Sequence, residues 1–301
     1  MEEAISPTDR VSALVRSSIR EIERASIAVD GTAPLNDQVR LDLDFGAPPP
    51  RRHLVARGAG EHVVVGYAHL DGTGDTASAH LVVHPAHRRG GIGSALLRAL
   101  RAESPCAALR IWAHGDAPAG RAFASSFGLA RIRELWQMRR PADSPLSAPT
   151  YPSDVTVRTF EPGRDDVAWV KLNAAAFASH PEQSRVSLDD LHHRMQQPWF
   201  ARSGFFLAER SAELVGFHWT KVHQPVGQEA SLGEVHAIGV HPCAQGLGLG
   251  KALTLTGIHH LYGLGLGQVM LYVESDNDLA VALYQRLGFV RHTVDVMYGE
   301  R

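Results

Sequence analysis

The first apolar stripe of the chain runs through Val11, Leu14, Val15, Ile19, Ile22 and Ile27, a spacing that predicts a helix over 9–29. Thr8 is its expected N-cap and Asp30-Gly31 its stop. The pattern then changes to β-type runs at 54–56, 63–70 and 79–83. They are separated by Gly58-Ala59-Gly60 and Asp71-Gly72-Thr73-Gly74, which predicts an antiparallel meander. A helix over 95–103, a strand over 109–113, a helix over 119–126 and a strand over 134–138 follow. Beyond a proline-rich stretch at 141–152 the order begins again. A strand at 155–159 precedes helices over 165–177 and 188–195, strands at 205–209, 214–220 and 234–240, and a helix over 252–262. Blocks of strands and helices in this order predict an α+β fold in two copies.

A shift of 157 residues carries His84-Pro85 onto His241-Pro242, Arg88 onto Gln245, Gly91 onto Gly248 and Gly93 onto Gly250. A shift of 160 carries Phe127-Gly128-Leu129 onto Leu287-Gly288-Phe289, so the second copy holds a small insertion. Domains are expected at 1–140 and 153–301, joined by a linker at 141–152 whose four prolines suit neither a helix nor a central strand. In each copy a strand runs into a glycine loop and then a helix. Glycine lets the main chain approach an anion without a Cβ in the way, and the positive end of the helix favours negative charge. The loop therefore reads as a cradle for a phosphate-bearing ligand, and its recurrence in matched context argues against a chance glycine turn.

At 301 residues the chain has room for two domains of ordinary size. A composition of 44% hydrophobic and 21% charged residues is that of a globular protein. With no apolar run of membrane-spanning length and no signal peptide, a cytoplasmic monomer without a membrane partner is expected. A net charge of −2 and the lack of a basic stripe argue against nucleic acid as a partner. Cys106 and Cys243 are expected to be reduced thiols. The 17 histidines form no HExxH or Cys/His cluster, so no metal is expected.

The loop V-x-P-x-x-[R/Q]-x-x-G-x-G occurs in both copies, and the second adds Asn277, Ala280, Leu283, Tyr284, Leu287, Gly288 and Phe289 downstream. Together these resemble the GCN5-related N-acetyltransferase family. The resemblance covers nearly the whole chain as a tandem pair. It implies in each copy a mixed, largely antiparallel sheet flanked by helices, with two strands that splay to admit the pantetheine arm of acetyl-CoA, the co-substrate. For the first copy it implies coenzyme contacts at Leu81, Val82, Val83, Arg88, Arg89, Gly90, Gly91, Ile92, Gly93 and Ser94. For the second it implies Ile238, Gly239, Val240, Gln245, Gly246, Leu247, Gly248, Leu249, Gly250, Lys251 and Asn277. The family's usual basic residue is absent at Gly246-Leu247, so the second cradle is expected to hold the coenzyme more weakly or with less dependence on salt.

Further strings at 28–31, 112–115, 137–141, 173–177, 180–183, 216–223 and 271–277 are similar to the mycothiol-forming branch of that family. This narrower resemblance implies acetylation of the cysteinyl amine of cysteinyl-glucosaminyl-inositol, a small pseudo-disaccharide thiol. It also implies substrate contacts at Asp37, Glu182, Lys221, Glu234 and Tyr272, the first of them making the cleft an inter-domain feature. The alternatives are acetylation of another small amine, such as an aminoglycoside or polyamine, and a non-catalytic acyl-CoA-binding regulator.

Amide formation needs a neutral amine and a proton for the departing thiolate. Glu234, on the strand entering the second cradle, is the candidate general base, and burial is expected to raise its pKa toward the working pH. Tyr284 is the candidate acid, matching the tyrosine that protonates the thiolate in many members of the family. Under the two shifts these residues fall on Ala77 and Ala124, so catalysis is expected in the second copy alone.

Overall fold

Ser12, not Thr8, begins the first helix: its hydroxyl accepts from the Val15 N–H at 3.3 Å, while Thr8 lies in a short strand. In chain order the elements are β1 (Ile5–Thr8), α1 (Ala13–Asp30), α2 (Asp37–Phe45), β2 (Arg51–Arg57), β3 (Val64–Asp71), β4 (Ala77–Val83), α3 (Ile92–Glu103), β5 (Leu109–Ala113), α4 (Pro118–Ser126) and β6 (Ala130–Pro141). Then come β7 (Val155–Thr159), α5 (Asp166–Ala176), α6 (Leu188–Met195), β8 (Phe205–Arg210), β9 (Glu213–His223), β10 (Leu232–Val240), α7 (Leu249–Gly263), β11 (Gln268–Glu274), α8 (Asp278–Arg286) and β12 (Val290–Gly299). This computed structural model describes all residues except 1–4, 59–62, 73–75, 105, 107, 179, 181–182, 226–229 and 301. No helix among the described residues is long and apolar enough to cross a membrane.

Two compact units result, Met1–Leu135 with Thr293–Arg301, and Trp136–His292. Neither boundary falls in the expected linker. In the first unit, β12 pairs antiparallel with β5 through Val296↔Ala113, Met297↔Trp112 and Tyr298↔Ile111, so the chain's last strand closes the first sheet. In the second, the buried guanidinium of Arg140 donates to the carbonyls of Ser144 at 2.9 Å and Pro145 at 2.7 Å, and Leu146 joins a core cluster. The proline-rich segment is therefore packed rather than free.

The first unit's sheet runs β1-β2-β3-β4-β5-β12, antiparallel except for the β4–β5 pair. On one face α3 buries Leu96, Leu97 and Leu100 against Leu54, Ala68, Ala79 and Ile111. On the other, α1 and α2 bury Ile19, Ile22, Val39 and Leu43 against Val55, Tyr67 and Val82. The second unit repeats this plan over β11-β10-β9-β8-β7. There α7 and α8 cover Val235, Val269, Leu271 and Val273, while Trp169 and Leu172 of α5 and Leu191 of α6 pack on Phe205, Phe217 and Trp219. The sequence pattern does not reveal α2, because its apolar residues Val39, Leu41, Leu43 and Phe45 alternate with polar ones in the period of a strand. Asn36 caps it, accepting from the Val39 N–H at 2.9 Å.

Both sheets bury a histidine in neutral form. His53 is held by Tyr67 OH at 2.7 Å; burial first, then the nearby His69, lowers its pKa to about 4. His218 lies under α7 where Gly257 leaves room, since a Cβ there would sit 2.0 Å from the His218 ring. Burial also lowers its pKa to about 4, outweighing the Leu253 carbonyl at 2.6 Å. A base with a depressed folded pKa withholds protons that the unfolded chain takes up, so stability is complete above pH 6.5 and falls toward pH 4. At pH 5 each histidine is expected to cost about 2 kcal/mol of stability. Urea titrations at pH 7.5 and pH 5 check this, and His53→Gln and His218→Gln should each flatten the difference. Equal midpoints at the two pH values would refute it.

Candidate active site

The two glycine loops have the same local geometry, which accounts for the 157-residue shift. His84 and His241 each turn a ring nitrogen onto the backbone N–H two residues on, at 3.2 and 3.3 Å, and each precedes a single 3-10 turn, Pro85–His87 and Pro242–Ala244. Arg88 and Gln245 are then extended, with ψ 161° and 157°. Arg89 and Gly246 are left-handed, with φ 66° and 79°. Gly91 and Gly248, with φ 90° and 79°, open α3 and α7, and neither helix start has a side-chain cap. Uncapped N–H groups at the positive end of a helix, on an exposed glycine loop, suit a phosphate ligand.

The expected contacts divide by atom type. Ile92 and Leu249 point into cores, and Val82 is buried, so these residues have only backbone groups to offer. Gly239 is set by packing, since a Cβ there would meet Phe217 at 2.6 Å and Ala176 at 2.9 Å. The Arg88 guanidinium is engaged by both Asp30 oxygens at 2.8 and 2.6 Å, so among the described residues of the first cradle's loop Arg89 carries the guanidinium without an ion pair. Gln245 reaches back toward the Val240 carbonyl at 3.4 Å. Asn277 caps α8, its oxygen accepting from the Ala280 N–H at 3.1 Å, so the coenzyme contact expected of it has only the amide NH2 left.

Next to the second cradle, β10 pairs with β11 for three residues, Gly233↔Val269, Glu234↔Met270 and Val235↔Leu271. Among the described residues it then continues to Val240 paired with β9 only. A bulge between Val235 and Ala237 marks the parting. Register sets Lys221, Glu234 and Met270 side by side on the face toward α5, with Tyr272 two residues further along that face of β11. Tyr272 is exposed, and its hydroxyl accepts from Gln137 at 3.0 Å. Three expected substrate contacts thus share one face. Asp37 lies in the first turn of α2, ion-paired with Arg40 at 3.2 Å, and Glu182 falls outside the described residues.

Glu234 is buried and paired on both oxygens. His223 Nε2 lies 2.5 Å from Oε2 and His236 Nδ1 lies 3.1 Å from Oε1. Lys221, over the Trp199 ring at 5.0 Å, adds its charge. The expectation of a raised pKa fails here. Burial pushes the carboxyl up, but the two histidine hydrogen bonds and the Lys221 charge outweigh it and hold Glu234 well below the ordinary carboxylate range. His223 and His236 are the site residues that sequence reasoning missed. The spacing of Glu234 and His236, two apart on a strand, carried the signal for the second; His223 meets Glu234 only through the β9–β10 pairing.

Tyr284 belongs to the opposite face, buried with Val235, Leu255 and Leu271, its ring 5.9 Å from Phe289. Burial raises its pKa to about 12, so the phenol keeps its proton at neutral pH. The missing bulge in the first unit moves the alignment by one residue. There Asp71↔Ser78, Leu70↔Ala79 and His69↔His80 continue unbroken, so Ser78, not Ala77, stands at the place of Glu234, and His236 has no counterpart. Among the described residues there is no group of three or more His, Cys, Asp or Glu side chains placed to hold a metal ion.

Residues 169–289 match the acetyltransferase (GNAT) family, and residues 49–128 match an acetyltransferase (GNAT) domain. A mycothiol acetyltransferase of Thermobispora bispora is 50% identical over 284 residues, covering 94% of this chain and 95% of its own. One of Streptomyces coelicolor is 50% identical over 294 residues, covering 97% and 91%. A tandem GNAT protein from the clavulanic acid biosynthesis pathway shares the fold, with a TM-score of 0.70 at 21% identity over 98% of both chains. A GCN5-related N-acetyltransferase from Sphaerobacter thermophilus has a TM-score of 0.66 at 20% identity, covering 98% and 95%.

Proposed function

The chain belongs to the mycothiol acetyltransferases of the GNAT acetyltransferase family, and from that premise we propose that its second unit acetylates the cysteinyl amine of cysteinyl-glucosaminyl-inositol. GNAT acetyltransferases use acetyl-CoA. The uncapped start of α7 and the left-handed Gly246 and Gly248 suit its diphosphate, and the parting of β10 from β11 suits its pantetheine arm. The observation that carries the reading is Glu234, a buried carboxylate held ionised beside that parting by His223, His236 and Lys221.

Glu234 acts first as counter-ion to the substrate ammonium. Taking the proton alone is costly for it: a carboxyl below about 4.5 accepting from an α-amine near 8 is uphill by about 5 kcal/mol or more. His223 relieves this, because its imidazole shares a short hydrogen bond with Glu234 and its side chain is 31% exposed, which gives the proton a way out to solvent. Tyr284 approaches the same opening from the opposite face and donates its phenolic proton to the departing thiolate. Lys221 and Tyr272 orient the sugar hydroxyls on the α5 face, and Trp199 and Trp219 pack 5.0 and 5.5 Å from the His236 ring beside the buried base.

Purified protein, acetyl-CoA and the cysteinyl pseudo-disaccharide are expected to yield the N-acetylated thiol and free CoA. Preference for an aminoglycoside or polyamine under the same conditions would overturn the substrate assignment. Tyr284→Phe is expected to lower kcat by about tenfold to a hundredfold with little change in KM for acetyl-CoA. Normal rates across pH would assign the acid elsewhere.

Gly246→Arg tests the cradle. A Cβ at Gly246 would meet nothing within 4 Å, and Arg89 already takes the equivalent left-handed conformation, so the new side chain fits at a cost of about 1 kcal/mol. The added charge is expected to lower KM for acetyl-CoA severalfold at low salt, with the gain fading at high salt. An unchanged KM at low salt would detach this loop from the diphosphate.

A further inference from the structure

The first unit holds a second chain of proton-bearing groups, buried at both ends and half-buried in the middle, that the reaction above does not use. Asp295, in β12, accepts from the Gly115 N–H at 2.9 Å and pairs through its other oxygen with His114 Nδ1 at 2.7 Å. His114 Nε2 lies 3.2 Å from Nδ1 of His80. The ring planes are within 10° of each other with centroids 5.3 Å apart, which at this N···N distance is two imidazoles edge to edge sharing one in-plane proton. All three residues belong to the first unit.

The tautomers follow from the donors and acceptors. A carboxylate oxygen can only accept, so His114 donates through Nδ1 and presents a lone pair at Nε2. His80 must then donate through Nδ1, which leaves the lone pair of its Nε2 without a hydrogen-bond partner among the described residues. His80 is buried and is the last residue of β4 to pair with β5, opposite Trp112. Beyond it, among the described residues, Leu81–Val83 pair with β3 only and lead into the loop of Arg89 and Gly91. The unpartnered nitrogen therefore belongs to the residue at which the strands part, just as Glu234 stands beside the parting in the second unit.

We propose that His80, positioned by His114 and Asp295, is the general base of a second, hydrolytic acyl-transfer site in the first unit, acting on an acyl-CoA seated in that unit's own cradle. The proposal rests on reading that loop as an acyl-CoA cradle. His80 Nε2 takes a proton from water as the water oxygen bonds to the thioester carbonyl carbon. The carbon–sulfur bond breaks, the thiolate recovers the proton from His80, and the products are the carboxylic acid, which ionises in solution, and CoA thiol. Besides His114, the titratable groups nearest His80 are His69 in the adjacent register position and, behind it, Asp42 paired with Arg51. Burial, then His114 and His69, hold His80 well below the ordinary histidine range, so it keeps its lone pair at neutral and mildly acidic pH.

The test uses the full chain with Glu234→Gln, which silences the second unit, and acetyl-CoA without any amine. Thiol release above the buffer rate is expected, with a rate that stays level as pH falls below 6.5. Adding His80→Gln is expected to reduce it about a hundredfold. Adding Asp295→Asn is expected to reduce it about tenfold and to shift the acid limb to still lower pH. Calorimetric titration with a non-hydrolysable acetyl-CoA analogue keeps the readings apart. One bound analogue per chain in place of two would defeat the cradle reading, whereas two bound with equal thiol release in E234Q and E234Q/H80Q would defeat the relay alone. Absence of release in E234Q above buffer would also overturn the proposal. If H80Q fails to fold by circular dichroism, the D295N rate and pH profile decide.

Discussion

Glu234→Gln is expected to lower kcat for the cysteinyl amine by about a hundredfold to ten-thousandfold while leaving acetyl-CoA binding intact. The substitution keeps the volume and a hydrogen-bond acceptor for His223 or His236, so the fold of β10 is preserved. It removes the negative charge that attracts the substrate ammonium while the Lys221 charge stays beside the site, so KM for the amine should rise as well. Because the carboxyl is ionised far below neutral pH, its own titration does not shape the rate between pH 6 and 9. The pH dependence of the unmodified enzyme is expected instead to follow the substrate amine. His223→Asn supplies the second arm: kcat should fall while the carboxylate and its ammonium binding remain. A kcat for Glu234→Gln within threefold of the unmodified enzyme would remove the carboxylate from the chemistry, and unchanged activity of His223→Asn would make Glu234 act through water alone.

Local patterns carried the fold a long way. The strand over 109–113, the strand over 155–159 and the helix over 188–195 coincide with β5, β7 and α6, and the recurring glycine loop corresponds to matched backbone angles at Arg89 and Gly246 and at Gly91 and Gly248. What escaped the sequence depends on distant residues. The run Glu234-Val235-His236-Ala237 reads as a regular alternating strand. Its bulge exists only against β9, and with it the one-residue change that makes Ser78 the counterpart of Glu234. The sign of the Glu234 shift was lost for the same reason, because burial can be inferred along a strand whereas His223 and Lys221 arrive from the neighbouring one. The boundary expected at 141–152 rests on its prolines, and nothing in the composition of that segment reveals the cation beneath it.

That cation, Arg140, is the basis of the largest stability effect expected. Its guanidinium is fully buried and donates to the carbonyls of Leu287 at 2.6 Å, Pro145 at 2.7 Å, Ser144 at 2.9 Å and Pro141 at 3.1 Å, and to Tyr262 OH at 2.7 Å. One side chain thereby ties the end of β6, the segment that follows it, α7 and the turn after α8 into the second unit. Arg140→Met retains much of the apolar stem but leaves several buried acceptors without donors, each costing about 1–3 kcal/mol where water cannot reach it, so a loss of about 3–5 kcal/mol is expected after relaxation. Four of the five tryptophans, at 136, 169, 199 and 219, lie in this unit, so urea unfolding followed by tryptophan fluorescence reports on it. The midpoint should drop sharply in Arg140→Met, and Arg140→Lys should recover only part of it, because an ammonium cannot span five acceptors in the plane of a guanidinium. If both variants unfolded within 1 kcal/mol of the unmodified chain, the segment after β6 would be held by Leu146 and Tyr151 packing and by its bonds to Gly267, His259 and Thr256, and the clamp would have no energetic role.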